Sequence, residues 1–207
     1  MLEKDERPES PEEMLRVIQE QSAATSKRLN GDPLLLYVPW GVAWLLGFTA
    51  LFLHYGLDGR PYAPISQMQG VAVLLVAQMV AGAVAAVGIV RMNRLVRGDS
   101  SIRGAMYGYA WSAGMVLMVI IGTRLGPLLP PEENGLLWAG GMLTVVAVLH
   151  MVGGALWLSK PMFFTGAWVA AVNALGLLLG AGWHALLTAV LLGGGFIAVG
   201  IRWRFRS

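Results

Sequence analysis

Apolar residues fall along this chain in six long runs, about 34–54, 69–90, 104–122, 135–158, 161–180 and 184–201, set apart by short breaks rich in proline or charge. Each run holds 18 to 24 residues, close to the ~20 that an α-helix needs to cross ~30 Å of hydrocarbon. Peptide N–H and C=O groups meet no water in that layer, so each run is expected to be helical. Arg60-Pro61 and Pro64 separate the first run from the second, and Arg91 to Arg103 the second from the third. Pro127, Pro130-Pro131 and Glu132-Glu133 mark the next break, and Ser159-Lys160-Pro161 the one after it. Only Ala181-Gly182-Trp183 divides the fifth run from the sixth, which demands a tight hairpin. Pro39 is expected to kink the first span near its start.

The N-terminal stretch follows a different pattern. Residues 1–9 mix acidic and basic side chains and read as a disordered tail. The first 30 residues lack the apolar core and small-residue cleavage site of a secretory leader. Ser10-Pro11-Glu12-Glu13 reads as a helix start: Ser10 caps, Pro11 takes the first helical position, and Glu13 completes a capping box. Met14, Leu15, Ile18 and Leu29 against Arg16, Gln19, Glu20, Lys27 and Arg28 make a moderately amphipathic helix, ending at Asn30-Gly31. The organisation expected is a tail and amphipathic helix over 1–31, then a transmembrane domain over 32–207. The fold class is all-α, a polytopic bundle of about six spans.

Charge sets the expected orientation. Of the 15 Lys and Arg residues, only Arg60 and Arg124 fall outside the segments that share a side with the N terminus. The positive-inside bias therefore places both termini in the cytoplasm, with the plasma (inner) membrane as the location. Trp40, Trp157 and Trp203 then lie near the inner boundary, and Trp138 and Trp183 near the outer one, as aromatic belts require. Charged residues make up 13% of the chain and hydrophobic residues 56%, whereas a soluble domain carries about 25% charged. The net charge of +3 does not indicate nucleic-acid binding, because the basic residues are spread over connections between apolar runs.

The candidate chemistry is sparse. No Asp or Glu lies inside the six runs, no P-loop, HExxH or GxSxG motif is present, and Cys is absent. The three histidines differ too much in depth to share a metal, so neither metal nor cofactor is expected, and an enzymatic role is not. Gln78, Ser112, Thr144 and Asn173 lie roughly 10–15 Å below the outer surface at 1.5 Å per residue, a shared polar tier on four helices. They are the candidate substrate contacts, together with the deeper His150, and the alternative is hydrogen-bond glue between helices. Gln78 and Asn173 are expected to face the bundle interior. Gly193-Gly194-Gly195 marks either a deformable span or a close approach of helices. The stripes Ala77/Ala81/Ala85, Gly104/Gly108 and Gly176/Gly180 read as packing faces. Arg91, Arg94, Arg97 and Arg103 form a basic connection suited to lipid headgroups or a cytoplasmic partner.

The run PEEMLRVIQEQ, followed by DPLLLYVPWGVAWLLGF, and more weakly GAMYGYAWSAG at 104–114, resembles bacterial multi-span proteins loosely labelled transporters. That resemblance carries no catalytic or binding residues. The layout is also similar to the membrane subunit of ABC exporters, with an amphipathic helix before six spans and a basic connection after the second; the short turn before the sixth span departs from it. The expectation is a permease or permease-associated subunit for an apolar or amphipathic substrate, powered by a cytoplasmic ATPase or another membrane subunit, with homo-oligomers possible in principle. The alternative is a non-transporting scaffold or sensor signalling through the N-terminal helix.

Overall fold

The computed structural model describes residues 10–17, 33–93 and 99–206. Residues 11–17 form α1, capped as its sequence directs: Ser10 Oγ accepts the Glu13 N–H at 3.1 Å and the Ser10 carbonyl accepts that of Met14. The remainder of the amphipathic helix lies outside the described residues, as do Arg94 and Arg97 and the Arg91 side chain.

The rest of the described chain is predominantly helical, with no strand among these residues. It comprises α2 (Pro33–Leu36), α3 (Val38–Tyr55), α4 (Gln67–Asn93), α5 (Asp99–Leu125), α6 (Pro131–Leu156), α7 (Lys160–Leu179), α8 (Ala181–Leu187), a π-helical turn (Thr188–Gly193) and α9 (Gly194–Arg206). Six helices are long and apolar enough to cross a membrane, α8, the π-turn and α9 together forming the sixth. The expected number of spans is therefore met. Two local details differ from the sequence reading. Pro39 does not kink a continuous helix; the helix breaks at Tyr37, and Pro39 sits in the first turn of α3, where its missing N–H leaves no bond unmade. The fifth and sixth spans are divided by Gly180 alone, whose φ of 97° reverses the chain and lets α8 start at Ala181.

Packing follows the small residues. Gly47 of α3 receives Leu74 of α4, and Gly70 of α4 receives Leu51. Ala81 and Ala85 are buried on the same α4 face. Gly140 receives Leu177, while Gly154 and Gly166 bring α6 and α7 to backbone contact. Gly114, Gly122 and Gly141 let Val145, Trp138 and Met118 close the α5–α6 seam. Without a hydrophobic drive between helices in lipid, such close approach is what dispersion needs.

The sixth span lies at the centre. It packs on α3, α7 and, through α8, on α6, and 44% of its apolar window is buried, against 6% for the third span. At Gly41 and Gly193 the backbones of α3 and the π-turn touch. A Cβ on Gly193 would stand 2.7 Å from the Leu45 nitrogen, whereas one on Gly194 would meet nothing within 4 Å. The basic end of the bundle carries Arg103, Lys160, Arg202 and Arg204, and the far end carries the α3–α4, α5–α6 and α7–α8 turns.

Two adjacent glycines should therefore respond oppositely. Gly193→Ala is expected to destabilise the protein by about 1–3 kcal/mol through overpacking. Gly194→Ala is expected to be neutral or to gain up to ~1 kcal/mol from helix propensity. Unfolding in mixed detergent micelles measures both.

Candidate functional site

Apolar helices leave few polar groups to organise, and three of them meet where α6, α7 and α8 converge. The Asn173 amide of α7 donates through Nδ2 to the Gly140 carbonyl at 2.9 Å and to Thr144 Oγ1 at 3.0 Å, both on α6. The Thr144 hydroxyl itself donates to the Gly140 carbonyl at 2.8 Å. Asn173 Oδ1 accepts from His184 Nε2 of α8 at 2.9 Å. Asn173 and His184 are both buried, and Thr144 is exposed at the bundle surface. The chain of bonds thus runs from the core outward.

This network fixes proton positions. A carbonyl oxygen only accepts, so the Asn173 NH₂ group must face Gly140 and its oxygen must face the imidazole. His184 therefore carries its proton on Nε2. Space for the ring comes from Gly176, one turn beyond Asn173, where a Cβ would press on His184 Cδ2. Phe48 of α3 lies against the other side, its ring centroid 6.1 Å from the imidazole. Thr188, one turn after His184, is wholly buried and its hydroxyl has no hydrogen-bond partner. It opens the π-turn, and such turns are frequent at functional sites.

A second polar point lies nearer the basic end. His150 of α6 donates through Nδ1 to its own helix, at the Val146 carbonyl, 2.9 Å away. Its ring meets Trp111 of α5 edge-on at 5.6 Å and Phe196 of α9 at 6.1 Å. Tyr107, one turn before Trp111, donates to the Leu149 carbonyl at 2.6 Å. Phe196 continues the aromatic row to Trp44 at 4.7 Å and Tyr37 at 5.6 Å.

The polar tier read from depth is only partly assembled. Asn173 and Thr144 are brought together. Gln78 is half-buried on α4, which packs chiefly against α2 and α3. Ser112 is exposed and its hydroxyl returns to the Gly108 carbonyl of its own helix. Equal depth put four residues in one layer but gave no azimuth. Gly104 and Gly108, read as a packing face, have open space around them within this chain. In the triple glycine, Gly193 makes the close contact, Gly194 stands free and Gly195 faces the Trp168 indole. His184 is the member that the depth argument overlooked. The one-residue turn at Gly180 starts α8 at Ala181 and carries His184 into the core. Among the described residues no group of three His, Asp or Glu is placed to hold a metal.

The far end is held by polar contacts of a different kind. Gln67 Nε2 of α4 donates to Tyr55 Oη of α3 at 2.9 Å and to the Pro131 carbonyl of α6 at 3.3 Å. His54 Nδ1 donates to the Ile65 carbonyl at 2.8 Å, and Leu57 N–H to Tyr62 Oη at 3.2 Å. These bonds tie the α3–α4 loop down beside α6.

Six apolar spans around a small polar junction define a multi-pass membrane protein of the all-helical class. No protein-family model, no curated protein and no solved structure matches the chain.

Two predictions follow from the junction. The two deep histidines should hold opposite tautomers, Nε2–H at His184 and Nδ1–H at His150, and nitrogen-15 spectra of labelled protein in bilayers at pH 7.5 should resolve both. In a double-mutant cycle, Asn173→Ala and Thr144→Val should couple by about 0.6–1.7 kcal/mol, the range for hydrogen bonds between transmembrane helices.

Proposed function

We propose that the protein is a permease, or the membrane subunit of one, for an apolar or amphipathic substrate. The observation that supports this reading is the Asn173–His184–Thr144 junction beside the π-turn of the sixth span. Transporter sites commonly lie where a span departs from α-helical geometry among facing helices. Thr144 is the exposed end of the junction and the point a substrate reaches first; Asn173 and His184 set its polarity from behind. The six apolar runs offer no carboxylate, so coupling to an ion through a buried acid is disfavoured and the energy comes from a partner, such as a cytoplasmic ATPase. The orientation in this reading has both termini in the cytoplasm, on the strength of the Lys and Arg distribution.

One observation favours a second reading, a scaffold or sensor. Asn173 has every hydrogen-bonding atom of its amide engaged within the protein, as structural glue between helices would.

Accumulation of a lipophilic fluorescent cation in cells that make or lack the protein tests the choice. The permease reading expects a changed initial rate, diminished about tenfold in Asn173→Ala at equal abundance, the equivalent of about 1.4 kcal/mol in a rate. A rate indifferent to the protein, with partner capture that disappears on deletion of residues 1–30, would instead support the scaffold.

A further inference from the structure

We infer that the Asn173 junction selects apolar substrates that carry a hydrogen-bond donor, an O–H or N–H group, over those that offer acceptors alone. The inference rests on the permease reading and adds to it the chemistry that Thr144 recognises.

Proton positions along the junction follow from its fixed points. The Gly140 carbonyl lies 2.9 Å from Asn173 Nδ2 and 2.8 Å from Thr144 Oγ1, and a carbonyl only accepts. The Thr144 hydroxyl proton therefore points at Gly140. Turned elsewhere, it would leave two oxygens 2.8 Å apart with no proton between them, a repulsive contact. The Asn173 amide spends one of its two protons on Gly140 and the other on Thr144 Oγ1. Its oxygen is turned to His184 Nε2. Donors thus point outward in order, imidazole to amide and amide to hydroxyl, and the series ends on an oxygen. Asparagine has no titratable proton to hand on, so the series conveys polarity and not charge. His184 is a positioning residue here. Its Nε2 proton keeps the amide from turning over, which would set Asn173 Oδ1 against the Gly140 carbonyl.

The terminal oxygen has two lone pairs, and Asn173 occupies one of them. Among the described residues no third group reaches it. Gly140 and Asn173 are both buried, whereas Thr144 is exposed. At a tetrahedral oxygen the remaining direction leads away from both buried partners. Val148 and Val152 follow Thr144 at intervals of four and share its side of α6; they are 52% and 43% exposed. The surface beside the hydroxyl is therefore apolar and open to lipid.

A molecule that lays an apolar body along these valines meets one polar atom, and that atom only accepts. An alcohol, phenol or amine gains a bond there that hydrocarbon does not provide. A molecule with only ketone, ether or ester oxygens brings a second acceptor against the first and gains none.

Uptake of a matched pair of lipophilic dyes tests the inference, in cells that make or lack the protein. Rhodamine 6G carries N–H groups and tetramethylrhodamine ethyl ester carries none; both are cationic ethyl esters of the same ring system. The protein-dependent change in initial rate should be about three- to twentyfold larger for rhodamine 6G, the range for one hydrogen bond within a membrane. At equal abundance, Thr144→Val should abolish this preference and Thr144→Ser should retain it. Thr123→Val, which removes another exposed hydroxyl bonded to its own helix, should leave it unchanged. Equal protein-dependent rates for the two dyes in the wild-type protein would overturn the inference and leave the permease reading standing. So would a preference that survives Thr144→Val. Rates for both dyes that are indifferent to the protein would overturn the two together.

Discussion

Inside a bilayer, a peptide group has only other peptide groups and a few side chains to bond with. Everything else in this protein is arranged around that constraint. It forces each apolar run into a helix and leaves helix association to close contact rather than to the expulsion of water. It also makes any buried polar side chain conspicuous. The contact between the Gly41 and Gly193 backbones and the junction at Asn173 are two answers to the same demand. One removes side chains so that main chains can touch. The other supplies a side chain whose every polar atom is matched by a partner on a neighbouring helix.

Both answers meet in the sixth span. It is the most buried of the six, and along its length lie His184, the orphan hydroxyl of Thr188, the π-turn, Gly193 and Phe196. The far half of the span is held by polar contacts to α7, and the basic half by aromatic contacts to α3 and α6. The second and third spans stand apart from this, each resting mainly on one neighbouring span. The bundle is thus a central group of four spans with two flanking ones.

The number of spans was legible from hydrophobic runs because the bilayer imposes a length on each of them. The helix start at Ser10-Pro11 was legible because a capping residue and a proline act locally. What could not be read was rotation about each helix axis. Gln78 and Asn173 are both amides at similar depth, yet one lies on a flanking helix and the other at a three-helix junction. Both spans are apolar on all sides, so periodicity does not say which face is inward. His184 was hidden for another reason: a single glycine at φ 97° makes the turn that wider spacing in sequence seemed to require. Gly176, spaced to admit an imidazole, was the available clue.

The π-turn gives the sixth span a phase break. Such a turn holds an additional residue relative to α-geometry, so side chains beyond it are rotated by roughly 100° from where an uninterrupted α-helix would aim them. The faces of α8 and α9 therefore cannot be drawn on a single helical wheel. A one-residue deletion at this point, although it would scarcely alter hydropathy or length, would swing Phe196 and Trp203 away from Tyr37 together. Spacing, more than composition, is what this part of the chain has to preserve.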